Sequence, residues 1–146
     1  MRKVSEILKK KGNQTVVVSP DTPVIDALRM MEEKNIGSVV IIDEGKYAGI
    51  LTERDYSRKV ILKGKNSAET TAGDIMSTDL PLLRPSDSID YCMQLMSNKH
   101  IRYLPVFENG DLTGIISMSD VVNATIENQK DTIHHLENYI NSAVWL

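Results

Sequence analysis

Cysteine is almost absent from this chain. Cys92 is the single one among 146 residues, which excludes an internal disulfide and any cysteine-pair zinc site. Aromatics are scarce as well, with one Phe and one Trp, so aliphatic side chains and seven Met must make the core. No segment approaches the roughly 20 apolar residues of a membrane span. Nor does an apolar signal stretch follow Met1-Arg2-Lys3, so the expected compartment is the reducing cytoplasm, with no membrane partner. Charge of one sign is missing too: a net charge of -3 provides no basic field to hold a nucleic acid. Lys9-Lys10-Lys11 reads as a solvated helix face. His100, His134 and His135 lack a metal-ligand spacing with Cys92, and there is no phosphate-loop sequence of the Gly-x-x-x-x-Gly-Lys-Ser/Thr type. No carboxylate constellation demands acid–base work. The sequence therefore assigns no catalytic residue and no metal, and reads as something other than an enzyme.

What is present is an ordinary globular composition, 41% hydrophobic and 25% charged, in a length that suits one domain or two very small ones packed together. The chain also repeats itself. Sliding it by 65 positions lays Pro20 on Pro85, and the match runs without a gap to Asp55 on Asp120. Met31 meets Met96, Lys34 meets Lys99, Ile36 meets Ile101, Gly45 meets Gly110, and Gly49-Ile50 meets Gly114-Ile115. A shift of 68 places Ile7 on Ile75. The chain divides accordingly into one repeat over 1–65, a second over 66–126, and a C-terminal helix and tail over 127–146.

Each copy predicts the order strand, helix, strand, strand, helix, a mixed α/β (α+β) fold. An extended run, Thr15 to Val18 or Leu82-Leu83, stops at a Pro. Asp21 or Asp87 then opens a helix. Val24, Ala27, Leu28 and Met31 in the first copy, and Ile89, Cys92, Met93 and Met96 in the second, fall on one apolar face. That spacing makes Cys92 a core residue and the Met stripe packing. Two apolar runs follow, Ser38 to Ile42 and Tyr47 to Leu51, joined by Asp43-Glu44-Gly45-Lys46; the second copy has Tyr103 to Phe107, Glu108-Asn109-Gly110-Asp111, and Leu112 to Ile116. Each pair predicts a hairpin. The last helix of the second copy carries Val122, Ile126, Ile133, Leu136 and Ile140 at heptad-like steps. Such a seam either joins two copies of the chain or packs back on its own domain.

The two hairpins end alike: Gly49-Ile50-Leu51-Thr52-Glu53-Arg54-Asp55 and Gly114-Ile115-Ile116-Ser117-Met118-Ser119-Asp120. A hydroxyl where a strand hands over to a helix, with an acid three residues on, reads as a capping box. The same pattern also reads as a nucleotide half-site. A helix N-terminus attracts phosphate, a cap hydroxyl can donate to it, and a carboxylate can accept from a ribose cis-diol. Gly at the strand lets a ligand come close to the backbone.

These paired endings, the gapless repeat and the run Ile101-Arg102-Tyr103-Leu104-Pro105-Val106 strongly resemble tandem cystathionine-β-synthase (CBS) domains, paired in a Bateman module. The resemblance covers Val4 to about Val122. It implies two repeats packed about a pseudo-twofold axis, with clefts that hold AMP, ADP, ATP or related adenosyl ligands such as NAD and S-adenosylmethionine. It assigns ribose hydroxyls to Asp55 and Asp120, and phosphates to Thr52, Ser117 and Ser119. Arg102 and Tyr103, with Gly37 and Ser38 as their counterparts, take phosphate-facing positions, and Arg54 adds charge. Val16, Val39, Leu104 and Pro105 offer an apolar bed for adenine, and the segment from Gly12 to Thr15 closes over it. The implied protein is a stand-alone regulatory module with no catalytic cofactor, signalling to a protein partner and forming a homodimer. The alternative is a nucleotide-independent interaction module with vestigial clefts. Val40 stands where the second copy has Pro105, and Ser119 where the first has Arg54, so the two sites need not be equal. Arg58, Lys59, Lys63 and Lys65 either reach a second phosphate or face solvent. The apolar end, Ser142 to Leu146, reads as a fraying tail or a covering segment.

Overall fold

The structure, a computed structural model, describes residues 2–12 and 15–144; the side chains of residues 142–144 are left out of the description. Asn13 and Gln14 of the expected closing segment, and Trp145 and Leu146 of the tail, fall outside the described residues. The chain forms α1 (Val4–Lys11), β1 (Val17–Val18), α2 (Val24–Lys34), β2 (Ser38–Asp43), β3 (Lys46–Thr52) and α3 (Glu53–Tyr56), the last continued by a π-helical turn at Ser57–Ile61. Then come α4 (Ala72–Ile75), α5 (Ile89–Lys99), β4 (Tyr103–Glu108), β5 (Asp111–Ser117) and α6 (Met118–Val144).

The chain folds into two compact units, and they are not cut where the repeats change over. One unit is Asn13–Pro81; the other joins Met1–Gly12 to Leu82–Leu146. Each repeat has given its leading helix to the other. In the Asn13–Pro81 unit, Ala72 and Ile75 of α4 lie in the core with Val24, Met31, Val39, Ile41 and Leu51. In the second unit, Val4 and Ile7 of α1 lie in the core with Leu83, Ile89, Cys92, Met96 and Leu104. The backbone ties correspond as well: Ala72 N–H donates to Thr22 C=O at 2.7 Å, and Val4 N–H donates to Asp87 C=O at 2.9 Å. Antiparallel bridges join Pro23 to Thr71 and Lys3 to Ser88.

The hairpins form as their sequences predict. Glu44-Gly45 and Asn109-Gly110 all have positive φ, between 48° and 84°, the left-handed two-residue turn that matches strand twist. The first extended runs are shorter than expected. β1 lies parallel to β2, and Val40 N–H donates to Val16 C=O at 2.9 Å. Pro105 occupies the Val40 position in the other unit and has no N–H to give. There the leading run pairs at Leu83 alone. The helices expected to open at Asp21 and Asp87 begin instead after Pro23 and Ser88. Ser88 caps the second by accepting from Tyr91 N–H at 3.1 Å, while Asp87 accepts from Arg84 N–H at 2.7 Å in the preceding turn.

The strand glycines serve packing between protein segments. A Cβ on Gly49 would lie 2.7 Å from the Ser77 carbonyl oxygen, and one on Gly114 would lie 2.6 Å from Leu8 Cδ2. The close approach expected for a ligand is thus made by the exchanged leading segments. Ser77 is held there by reciprocal backbone bonds with Ile50, of 3.0 and 2.8 Å, whereas the tip of Leu8 can rotate away. Gly49→Ala is expected to cost about 2 kcal/mol and Gly114→Ala under about 1 kcal/mol in urea denaturation. Equal costs would show that the bridge yields as easily as a side chain.

Candidate functional site

Both strand-to-helix ends fold as capping boxes. At the first, Asp55 N–H donates to Thr52 Oγ1 at 3.1 Å, and Thr52 N–H donates to Asp55 Oδ2 at 3.0 Å. At the second, Asp120 N–H donates to Ser117 Oγ at 3.1 Å, and Ser117 N–H donates to Asp120 Oδ2 at 2.8 Å. The first helical N–H groups are occupied too: Glu53 donates to Gly37 C=O at 3.2 Å and Met118 to Arg102 C=O at 2.8 Å. The donors expected to be open for phosphate are therefore engaged at the first and third helical positions of each end, because the preceding loop carbonyl and the cap hydroxyl reach them first.

The antiparallel registers bring the remaining candidates to the same ends. Ser38 pairs with Thr52, and Tyr103 pairs with Ser117. Gly37 and Arg102 each lie one residue before these strands and supply the carbonyls just described. Arg102 and Ser119 are exposed; Arg54 and Tyr103 are half-buried and already have partners. Val16 is half-buried beside β2. Strand alternation separates the adenine-bed candidates. Val39 and Leu104 belong to the apolar cores, at 1% and 0% exposure, so their side chains face inward within their units. Pro105 is on the opposite face of its hairpin, in register with Ile115. The residues thus gather as one set on the Asn13–Pro81 unit and a matching set on the other.

Three side chains that bear on these carboxylates were not singled out for that role in the sequence. Lys59 Nζ contacts Asp55 Oδ1 at 3.0 Å and donates to Ile75 C=O at 2.9 Å, which neither the second-phosphate nor the solvent alternative anticipated. Ser77 Oγ donates to Asp55 Oδ1 at 2.9 Å. In the other unit, Lys11 Nζ donates to Asp120 Oδ2 at 2.8 Å and to Ile115 C=O at 2.9 Å. The Lys9-Lys10-Lys11 run is exposed, as a solvated face should be, and two of its members form surface pairs, Lys10 with Glu127 and Lys11 with Asp120. The 68-residue shift lays Lys9, two residues before Lys11, on Ser77, so it pointed to the segments that supply these contacts but not to the residues that make them. Beside Lys10, Lys11 and Asp120 lies a cavity of ≈ 450 Å³, lined by Arg2 and by residues of α1 and α6 that include Asn123.

Cys92 is fully buried, and burial, aided by the Asp87 charge, pushes its thiol up to about 11. It is protonated at neutral pH, as a core residue should be. Among the described residues, no helix is long and apolar enough to cross a membrane.

The profile of the CBS domain matches the chain twice, over residues 4–61 and 72–127. The chain belongs to the CBS-domain family. It is 34% identical to the mitochondrial CBS domain-containing protein CBSX3 of Arabidopsis thaliana, an alignment covering 94% of this chain and 71% of the relative. A solved structure of a putative signal-transduction protein with CBS domains from Burkholderia ambifaria is 40% identical, covers 88% of this chain and 96% of that one, and superposes with a TM-score of 0.83. More distantly, a hexameric CBS-CP12 protein from bloom-forming cyanobacteria is 27% identical, with a TM-score of 0.73, covering 84% of this chain and 70% of that one.

The second family match ends at residue 127, and α6 runs on to Val144. The helix turns Val121 and Ala124 into its unit's core. Its heptad seam stays exposed: Val122, Ile126, Ile133, Leu136 and Ile140 are open by 43% to 58%, with Ile126 at the cavity beside α1. The alternative in which the seam packs back on its own domain is not what the described residues show.

Proposed function

We propose that this CBS pair is a cytoplasmic regulatory module that binds an adenine nucleotide (AMP, ADP or ATP, with NAD a further option) without altering it, and signals to a protein partner. The observation that supports this most is the repetition of one polar end, Gly-x-x-Thr/Ser-x-x-Asp, with the same capping geometry in both units. The contributing residues are Val16, Gly37, Ser38, Thr52, Arg54 and Asp55 from the first set, and Arg102, Tyr103, Pro105, Ser117, Ser119 and Asp120 from the second. Val39 and Leu104 contribute through their backbone. A ligand can signal only if it binds one conformational state better than another. The exposed α6 seam supplies a surface for a homodimer, since Ile and Leu at heptad spacing suit a helical pair. The repeats themselves are taken as 1–65 and 66–126, as units of sequence.

A second reading has an observation of its own. Thr52 with Asp55 and Ser117 with Asp120 complete reciprocal capping bonds, a structural role sufficient to account for these residues, and the exposed seam would then make the protein a nucleotide-independent interaction module. Thermal unfolding separates the two. At a nucleotide concentration a hundred times its dissociation constant, binding adds about 2.7 kcal/mol, expected as a rise of roughly 5–10 °C in Tm. A folded protein whose Tm does not move with AMP, ADP, ATP, NAD or S-adenosylmethionine would leave the second reading standing.

A further inference from the structure

Helix α6 outruns its unit. Among the described residues, Ala124 is the last of the helix to lie in the core, and Ile126, Ile133, Leu136 and Ile140 follow it exposed. As heptads, Ile126, Ile133 and Ile140 take the a position, and Gln129 and Leu136 the d position. Beyond Ala124 the helix carries four charged side chains, Glu127, Lys130, Asp131 and Glu137. Two of them are taken up by the start of the chain: Arg2 pairs with Glu127 at 3.3 Å and with Asp131 at 2.8 Å, and Lys10 pairs with Glu127. Lys130 and Glu137 are exposed, and among the described residues neither has an ion-pair partner within the chain. They are opposite in sign and one heptad apart, and both fall at the e position on the flank of the seam.

Resting on the homodimer reading, we infer that α6 docks antiparallel on α6 of a second copy of this chain, and that Lys130 and Glu137 set the direction. In an antiparallel pair the e flank of one helix runs along the e flank of the other. With Ile133 of each copy packed on Leu136 of the other, Lys130 of each lies beside Glu137 of the other, and the ion pair is made twice. The two-fold axis then passes between residues 134 and 135, and the overlap runs from 126 to 143, about 27 Å of helix beyond the core. Gln129 lies opposite Ile140, toward the end of the overlap, where its amide can reach water. A parallel pair sets e flanks against g flanks, which here hold Thr125 and Thr132, so neither charge gains a partner.

Sedimentation equilibrium of the full chain at low salt, with charge-reversed variants, tests this. Lys130→Glu and Glu137→Lys each turn two attractive contacts into two repulsive ones, and each is expected to weaken its own dimer about tenfold. Mixed in equal amounts, the two variants restore both attractions, so native mass spectrometry is expected to find about nine pairs in ten mixed, where random exchange gives about half. Ile133→Asp, folded by circular dichroism, is expected to be a monomer. A dimer that survives Ile133→Asp would place the contact elsewhere. Loss of the dimer in Ile133→Asp, with random pairing of the two charge variants, would make the helices parallel. Either result overturns the inference and leaves the homodimer reading standing. A parent that stays monomeric to about 100 μM overturns both.

Discussion

Asp55→Ala is expected to lower the free energy of unfolding by about 3 kcal/mol, against about 1 kcal/mol for Asp120→Ala, although the two residues hold equivalent positions in their repeats. Losing either capping acceptor costs about 1 kcal/mol. Asp55 has a further role: it is buried at 6% exposure and joins the cap to Ser77 on the segment after α4. Its removal leaves the half-buried hydroxyls of Thr52 and Ser77 without their charged acceptor, and charge-assisted hydrogen bonds contribute about 1.5–3 kcal/mol each. Lys59, at 43% exposure, can return to water and adds little. At Asp120, the partner lost besides Ser117 N–H is an exposed lysine. Urea denaturation monitored by circular dichroism measures both. A loss of 3 kcal/mol is a large share of a typical stability of about 5–15 kcal/mol, so ligand titrations on Asp55→Ala must first establish that it is folded. Equal costs at the two positions would mean that Ser77 finds another acceptor and that Asp55 acts only as a cap.

Ile75→Ala is expected to cost about 3 kcal/mol, within the range for emptying a fully packed aliphatic site. Ile75 is 2% exposed, and its neighbours in the core belong to the preceding repeat, Leu51 and Ile41 among them. A double-mutant cycle is therefore expected to show Ile75→Ala and Leu51→Ala departing from additivity by at least about 0.5 kcal/mol, as residues sharing one cavity do. Strict additivity would remove α4 from that core, and with it the exchange of leading helices. The α1 counterpart supplies Ile7, at 7% exposure, to the other core.

Several features of the fold were legible in the residues because the forces behind them act locally. Asn-Gly and Glu-Gly between apolar runs set left-handed turns whatever the surroundings, and they are found at 44–45 and 109–110. Apolar residues three and four apart must share a helix face, and Val24, Ala27 and Met31, like Ile89, Cys92 and Met96, are buried together. The capping boxes belong to this class as well, since a hydroxyl and an acid three residues on meet across a single turn. The repeat made each such reading twice over and carried the family resemblance.

What could not be read depends on contacts between distant stretches. A pattern that gives α1 and α4 an apolar face does not say which sheet covers it, so the chain order alone could not reveal that Val4 and Ile7 pack with residues beyond 82. The same ignorance hid Ser77 at Asp55 and Lys11 at Asp120, because each contact needs an exchanged segment to be in place, as does the bond from Lys59 to the Ile75 carbonyl, whereas the Lys59–Asp55 pair itself lies four residues apart on one helical stretch. It also hid the purpose of Gly49 and Gly114, which give room to Ser77 and Leu8. The sequence by itself determined two copies of one strand–helix–hairpin–helix unit and the polar ends that mark its family. Only the tertiary structure decided which leading helix completes which unit and how far each carboxylate is already engaged. The reason is physical: hydrogen-bond capacity and free volume are filled by whichever group arrives in space, whatever its distance along the chain.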